Sequence, residues 1–330
     1  MNKKIIAGIL LSLALVYLSV RGINLDETIG NLKEITLLPV VAFIGIILVM
    51  QFLRSYRWGV IMSPLRKIDQ FSLFAVTSVG FLAIAAIPAR LGELARPYLI
   101  SQKSEIKFSS ALGTIFVERV LDSLAIISIM VISLAFMDLP AWMVKSSILF
   151  FIFAFAMLLF IIFLIWKRQA ALNIAQRVFR KMPGKMAHKI EGLVHHFIEG
   201  FKIITDMKML FYLLFISALI WLVDVLAIYM LFLAFDFDLP FLAAVVLMIV
   251  LIAGIAIPTA PGYIGNWHFA CILGLSIFGV AKSEAFSFAI VYHFLSIAIV
   301  VVLGILFMPY NKFSLKEIKA LLNGEKAKNI

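Results

Sequence analysis

Cysteine is nearly absent. Cys271 is the only one in 330 residues, so an intramolecular disulfide is excluded, and it lies in an apolar segment without the His/Cys spacing of a metal site. Neither G-x-G-x-x-G, nor a P-loop, nor H-E-x-x-H occurs, which removes the commonest nucleotide and zinc chemistries and leaves no cofactor to expect. Low-complexity tracts are missing too. Charged residues are scarce at 14%, and no stretch is long and polar enough for a separate soluble domain.

What is abundant is apolar sequence. Hydrophobic residues make up 64% of the chain and form runs at about 5–20, 36–53, 71–88, 108–137, 143–166, 209–235, 240–257, 263–279 and 284–308. A helix rises about 1.5 Å per residue and the hydrocarbon core is about 30 Å thick, so roughly 20 residues cross it. These runs predict an all-α polytopic membrane protein. Lys3-Lys4 followed by apolar residues has the charged start of a signal peptide but no clear A-x-A cleavage site, so 5–20 is read as an uncleaved first span.

A formal charge of +11 suggests nucleic acid until the charges are located. Segment 54–70 carries Arg54, Arg57, Arg66 and Lys67 against Asp69, segment 167–208 has nine basic residues against Glu191, Glu199 and Asp206, and the tail from Pro309 has five Lys against two Glu. Linkers 21–35 and 236–240 are acidic by contrast. The positive-inside bias puts the basic segments and both termini in the cytoplasm, in a cell (inner) membrane, and no nucleic acid is expected.

Two helix breaks are the most informative feature. Ala86-Ile87-Pro88-Ala89-Arg90-Leu91-Gly92 returns 170 residues later as Ala256-Ile257-Pro258-Thr259-Ala260-Pro261-Gly262, each time at the end of an apolar run. A break at membrane depth frees backbone groups that lipid cannot satisfy, so it is tolerated only against protein or a water-filled cavity, and a matched pair points to a transporter-type site. Charge parity requires 71–107 to enter and leave from the cytoplasm and 240–279 from outside. Two complete crossings satisfy the same parity, but Arg90, Glu93 and Arg96 in the second arm of the first pair favour a re-entrant hairpin, because a central charge costs about 2.5–3.5 kcal/mol on insertion. The expected architecture is six full spans plus two re-entrant helical hairpins. They form two inverted-topology halves, 1–140 and 141–310, within one membrane domain that ends in a short basic tail, 311–330. Segment 167–208, with one break at Pro183-Gly184, predicts two amphipathic surface helices, read either as a plain positive-inside loop or as a site for anionic lipid headgroups. His188, His195 and His196 in it are read as solvated side chains, and no metal site is expected.

Arg90, Glu93 and Arg96 are three apart and share one helical face, while Glu118, Arg119 and Asp122 cluster within about one turn of the following span. Three bases facing three acids can form a neutral network, read either as a lock between hairpin and neighbour or as a site that exchanges its acidic partners for an anionic headgroup. Arg suits such a group because its planar fork donates two parallel hydrogen bonds. The second tip offers Gly262 and Gly265 for tight turning, free N–H groups at the next helix start, and Asn266 and His268 as side-chain donors or acceptors. The alternative there is a break plugged by neighbouring helices. Tyr292, His293 and Ser296 repeat the spacing of Glu118, Arg119 and Asp122. His293 and the intramembrane Asp224 are candidates for proton coupling, or else packing and locally bonded residues.

The motifs Pro88-Ala-Arg90-Leu-Gly92-Glu93-Leu-Ala-Arg96-Pro-Tyr98, Glu118-Arg119-Val-Leu-Asp122 and Pro258-Thr-Ala-Pro261-Gly262-Tyr-Ile-Gly265 occur in this order over nearly all of the chain. In them the sequence resembles the flippase-like transmembrane region of bacterial lysylphosphatidylglycerol synthases. The resemblance implies movement of a phospholipid or related amphiphile between leaflets, with membrane lipid as the partner. Fused members carry a soluble aminoacyltransferase domain after this region, whereas this sequence ends about 22 residues past its last apolar run. Relatives often have Arg at the position that resembles His293. The expectation is therefore a lipid flippase or amphiphile transporter with an arginine-lined central site between two hairpin tips. The alternatives are a membrane-embedded headgroup transferase using Glu93, Glu118 or Asp122 as general base, and a non-transporting partner of a lipid-modifying complex.

Overall fold

In the computed structural model, residues 3–87, 92–133, 136, 141–167, 184–257 and 259–311 are described. Twelve α-helices follow one another among them, and no strand occurs: α1 Lys3–Val20, α2 Leu25–Lys33, α3 Leu37–Met62, α4 Gln70–Ala86, α5 Ala95–Lys103, α6 Phe108–Ser133, α7 Ala141–Trp166, α8 Gly184–Glu199, α9 Met207–Ala234, α10 Phe241–Ala256, α11 Asn266–Ser276 and α12 Lys282–Phe307. Each of the nine apolar runs falls on a helix. The longest departure is α3, which continues past its apolar run to Met62, through Arg54 and Arg57.

Helices α3, α9 and α12 are long and apolar enough to cross a membrane. A fourth candidate is the pair α1 and α2, bent by 84°. Hydrogen bonds hold both sides of that bend. Asn24 caps α2 by accepting from the N–H groups of Asp26 (3.0 Å) and Glu27 (3.3 Å), and Lys282 donates to the carbonyls of Leu18 (2.9 Å) and Arg21 (2.6 Å) at the end of α1. Many large apolar side chains face outward, among them Leu38 at 78% and Trp166 at 80% exposure, which water would penalise and a bilayer does not.

The chain forms two compact units that interleave along the sequence. The first comprises Met1–Phe52, Ala75–Ala95 and Leu222–Ile330, and the second Leu53–Phe74 and Arg96–Trp221. In the second unit, α6 packs on α7 and α8, around a core that includes Ile61, Val117, Leu121, Ile161, Phe201 and Leu213. Gly113 lets α6 approach the last turn of α8: a Cβ there would lie 2.3 Å from the Phe197 carbonyl oxygen. In the first unit, α10 pairs with α11, which also packs on α1 and α12. Phe232, Phe237, Phe288 and Tyr292 form an aromatic core there, with Phe237 stacked on Phe288 at 5.8 Å.

Both breaks fall where the sequence puts them. Helix α4 ends at Ala86, and the chain folds back on it so closely that a Cβ on Gly92 would lie 2.3 Å from the Ala83 carbonyl oxygen. Helix α10 ends at Ala256 and α11 starts at Asn266. With 9 residues in α5 and 11 in α11, these arms rise about 14 and 16 Å, well short of the roughly 30 Å hydrocarbon core.

Candidate functional site

In the second unit the charged side chains of α3, α5 and α6 meet in one buried cluster. Arg96 grips Glu118 with both nitrogens, at 2.8 and 3.1 Å, and its guanidinium lies over the Trp58 ring at 4.3 Å. This is the fork geometry that favours arginine over lysine. Arg57 donates to Asp122 at 2.6 Å and to Ser217 at 2.8 Å, and its other nitrogen is 3.7 Å from Glu118. Arg119 bonds Glu118 at 3.0 Å and lies 3.6 Å from Asp122, which also accepts from the Trp221 indole at 3.1 Å. Trp58 is itself anchored to Thr114 at 3.1 Å.

Among the described residues, these ion pairs join three guanidinium groups to two carboxylates. Arg57, Arg96 and Glu118 are each 1% exposed, whereas the Arg119 side chain is 42% exposed. The cluster therefore has a sealed interior and one accessible cationic edge, an arrangement suited to holding a phosphate or carboxylate.

Of the residues singled out from sequence, Arg96, Glu118, Arg119 and Asp122 are brought together here. Arg90, Pro88 and Pro258 lie outside the described residues. Gly92 and Glu93 belong to the first unit, Glu93 half-buried just before α5. Asp224, half-buried on α9, also belongs to the first unit. Arg57, Trp58, Ser217 and Trp221 were missed. The charge pattern puts Arg57 in a basic segment after the apolar run, whereas α3 carries it onward with Val60, Ile61 and Met62. Ser217 and Trp221 are four apart on α9 and so share a face.

The second tip, in the first unit, is built from neutral groups. Asn266 donates to the carbonyls of Gly254 (3.1 Å) and Ile257 (3.3 Å), satisfying the end of α10. His293 on α12 meets the Gly262 carbonyl at 2.6 Å, and Ser12 on α1 donates to the Ile264 carbonyl. Gly262 (φ +69°) and Gly265 (φ +95°) take left-handed backbone, and a Cβ on Gly265 would lie 2.6 Å from the Ser12 carbonyl oxygen. Trp267 and His268 lie against His293, with ring centroids at 5.1 and 4.9 Å. Thr259 Oγ1, Asn266 Oδ1 and the Trp267 indole nitrogen are buried here with no hydrogen-bond partner among the described residues. Pro261 opens the short turn Pro261–Tyr263. In α8, His195 and His196 both approach Glu199, while the His188 side chain lies outside the described residues.

An all-helical chain with membrane-length apolar helices and buried ion pairs among them is a multi-pass membrane protein. Its residues 5–304 match the family described as the lysylphosphatidylglycerol synthase TM region, and the chain belongs to that family. It is similar to UPF0104 membrane protein MJ1078 of Methanocaldococcus jannaschii, 29% identical over 71% of this chain and 96% of the relative. A UPF0104 membrane protein of Methanothermobacter thermautotrophicus is 26% identical over 84% of this chain and 88% of its own. A further relative from M. jannaschii, UPF0104 membrane protein MJ1595, is 24% identical over 82% and 83%. No solved structure matches the chain.

Proposed function

We propose that this protein moves an amphiphile with an anionic headgroup, a phospholipid or a close relative of one, between membrane leaflets. The observation that carries the reading is the cluster of three arginines and two carboxylates with Arg119 at its exposed edge. Ionisable groups in membrane segments are costly and usually mark a substrate or ion pathway. A headgroup phosphate is the natural competitor for Arg119, since it offers the same oxygens as Glu118 and Asp122.

In this reading Arg90, Glu93, Arg96, Glu118, Arg119 and Asp122 form the headgroup-recognising set, with the carboxylates holding the arginines in place when no lipid is bound. Asn266 and His268 belong to the second tip, and His293 or Asp224 couples movement to protons. The short arms α5 and α11, beside the close approach at Gly92, support two re-entrant hairpins set among six full spans in inverted halves, with both termini in the cytoplasm of an inner-membrane protein. The basic segment 167–208 rests on anionic headgroups.

The test is translocation of fluorescent anionic and zwitterionic lipids in proteoliposomes, comparing wild type with Arg119→Gln and Arg119→Lys. Arg119→Gln should lower the rate about tenfold or more, because a charge-assisted hydrogen bond of about 1.5–3 kcal/mol is lost, and Arg119→Lys should restore part of it. Unchanged translocation in Arg119→Gln, or none in wild type above protein-free vesicles, would sink the proposal.

A further inference from the structure

Helix α8 carries a cluster that lipid movement does not use. One ligand atom each from His195, His196 and Glu199 lies within 4.8 Å of the other two. Nδ1 of His196 is 2.9 Å from one oxygen of Glu199, and Nδ1 of His195 is 3.7 Å from the other. The two imidazoles stand edge to face, their centroids 5.5 Å apart at 88°, so they reach the same carboxylate from different directions. Their side chains are 42%, 37% and 32% exposed for His195, His196 and Glu199, open to ions from solution.

The backbone that presents them is fixed from its other side. Ile198 and Phe201 are buried, Phe197 and Phe201 contact Phe116 of α6, and Gly200 sits so close to α6 that a Cβ there would lie 2.5 Å from the Ser110 carbonyl oxygen. Spacing of i, i+1, i+4 is no metal motif, and for that reason the sequence reading leaves these histidines in solvent. The folded helix adds convergence. A tetrahedral ion with ligands at about 2.0–2.2 Å holds its donor atoms about 3.4 Å apart. The three donor atoms already lie within 4.8 Å of one another, close to that spacing.

We propose that His195, His196 and Glu199 bind one divalent transition-metal ion of the zinc class, with water completing the shell. Two imidazoles and one carboxylate suit such an ion, whereas magnesium and calcium prefer oxygen donors throughout. The ion takes the Nδ1 lone pairs of the two neutral imidazoles, each of which then carries its proton on Nε2, and Glu199 becomes a carboxylate ligand. This site stands independently of the transport reading.

The full chain, freed of any affinity tag and stripped with chelator in detergent, is titrated with Zn²⁺ by calorimetry and with Co²⁺ by visible absorption. One ion per chain is expected, with an intense four-coordinate Co²⁺ band. His195→Ala and Glu199→Gln should each weaken binding tenfold or more, and His195→Ala/His196→Ala should abolish both signals. Metal-free melting curves should match wild type, since all three side chains are half-exposed, and His195→Gln/His196→Gln replaces the alanine pair if that pair melts early. Absence of a stoichiometric zinc signal in the wild type, or zinc binding retained by the double variants, overturns the proposal.

Discussion

In the second unit, two arginines and two carboxylates are withdrawn from solvent with a third arginine at their exposed edge, while around Gly262 in the first unit backbone carbonyls are met by neutral side chains. The two arrangements respond differently to perturbation. Every member of the charged cluster depends on the others, since removing one partner strands a buried charge. At the second tip, Asn266 meets two carbonyls and His293 and Ser12 one each, none of them shared, and each such bond contributes only about 0.5–1.5 kcal/mol net. Under the proposed function, the charged cluster is the fixed recognition element and the neutral tip the part that opens.

The largest expected effect tests the cooperative side. Glu118→Gln removes the carboxylate that Arg57, Arg96 and Arg119 share, and the variant should lose about 3–5 kcal/mol, read as a large drop in thermal midpoint in detergent. A loss below about 1 kcal/mol would mean that the three guanidinium groups do not depend on Glu118. Next come the tip glycines, which separate collision from conformation. Gly265→Ala meets both a left-handed φ and the Ser12 carbonyl and should cost about 2–3 kcal/mol. At Gly262 no atom stands within 4 Å of a new Cβ, so Gly262→Ala carries the backbone penalty alone, about 1–2 kcal/mol. Equal losses for the two would show that Ser12 does not confine the tip. His293→Phe removes one bond to Gly262 and should shift stability by about 1 kcal/mol while changing lipid translocation far more. A melting loss on the scale of Glu118→Gln would erase the contrast between the two regions.

Much of the fold was legible because apolar runs and their breaks obey simple physics. Ala86 and Ala256 end helices where Pro88 and Pro258 follow, and Glu118, Arg119 and Asp122 announce themselves as charges within one turn of an apolar helix. Arg57 was not legible for an instructive reason. A charge that ends an apolar run looks like the start of a loop, yet a helix carries it onward when a partner waits, and nothing near residue 57 in sequence reveals that Asp122 and Ser217 are that partner. At Asn266 the amide reads as a donor or acceptor, and its Nδ2 group meets the Gly254 and Ile257 carbonyls at the break. Neither the 84° bend after α1 nor the interleaved units follow from periodicity, since both depend on residues far apart in the chain, such as Lys282 and Arg21.

The smallest effect carries the comparison out of the buried clusters. Asp69 is exposed and caps α4, accepting from the Ser72 N–H at 2.8 Å. Hydrogen bonds from the Ser72 hydroxyl and N–H, aided by Lys103, hold its carboxyl below the usual carboxylate range. Solvent screens it, so Asp69→Ala should cost about 0.5 kcal/mol, the low end for a cap. Because the folded pKa is depressed, this contribution is present above the unfolded value of about 3.9 and is lost as pH falls through the folded one. The gap in thermal midpoint between wild type and Asp69→Ala should therefore hold steady near neutral pH and narrow below about pH 4. A gap that persists in acid would show that the aspartate acts through its shape rather than its charge. A gap as large as that of Glu118→Gln would mean that withdrawal from water is not what makes the buried carboxylate costly to lose.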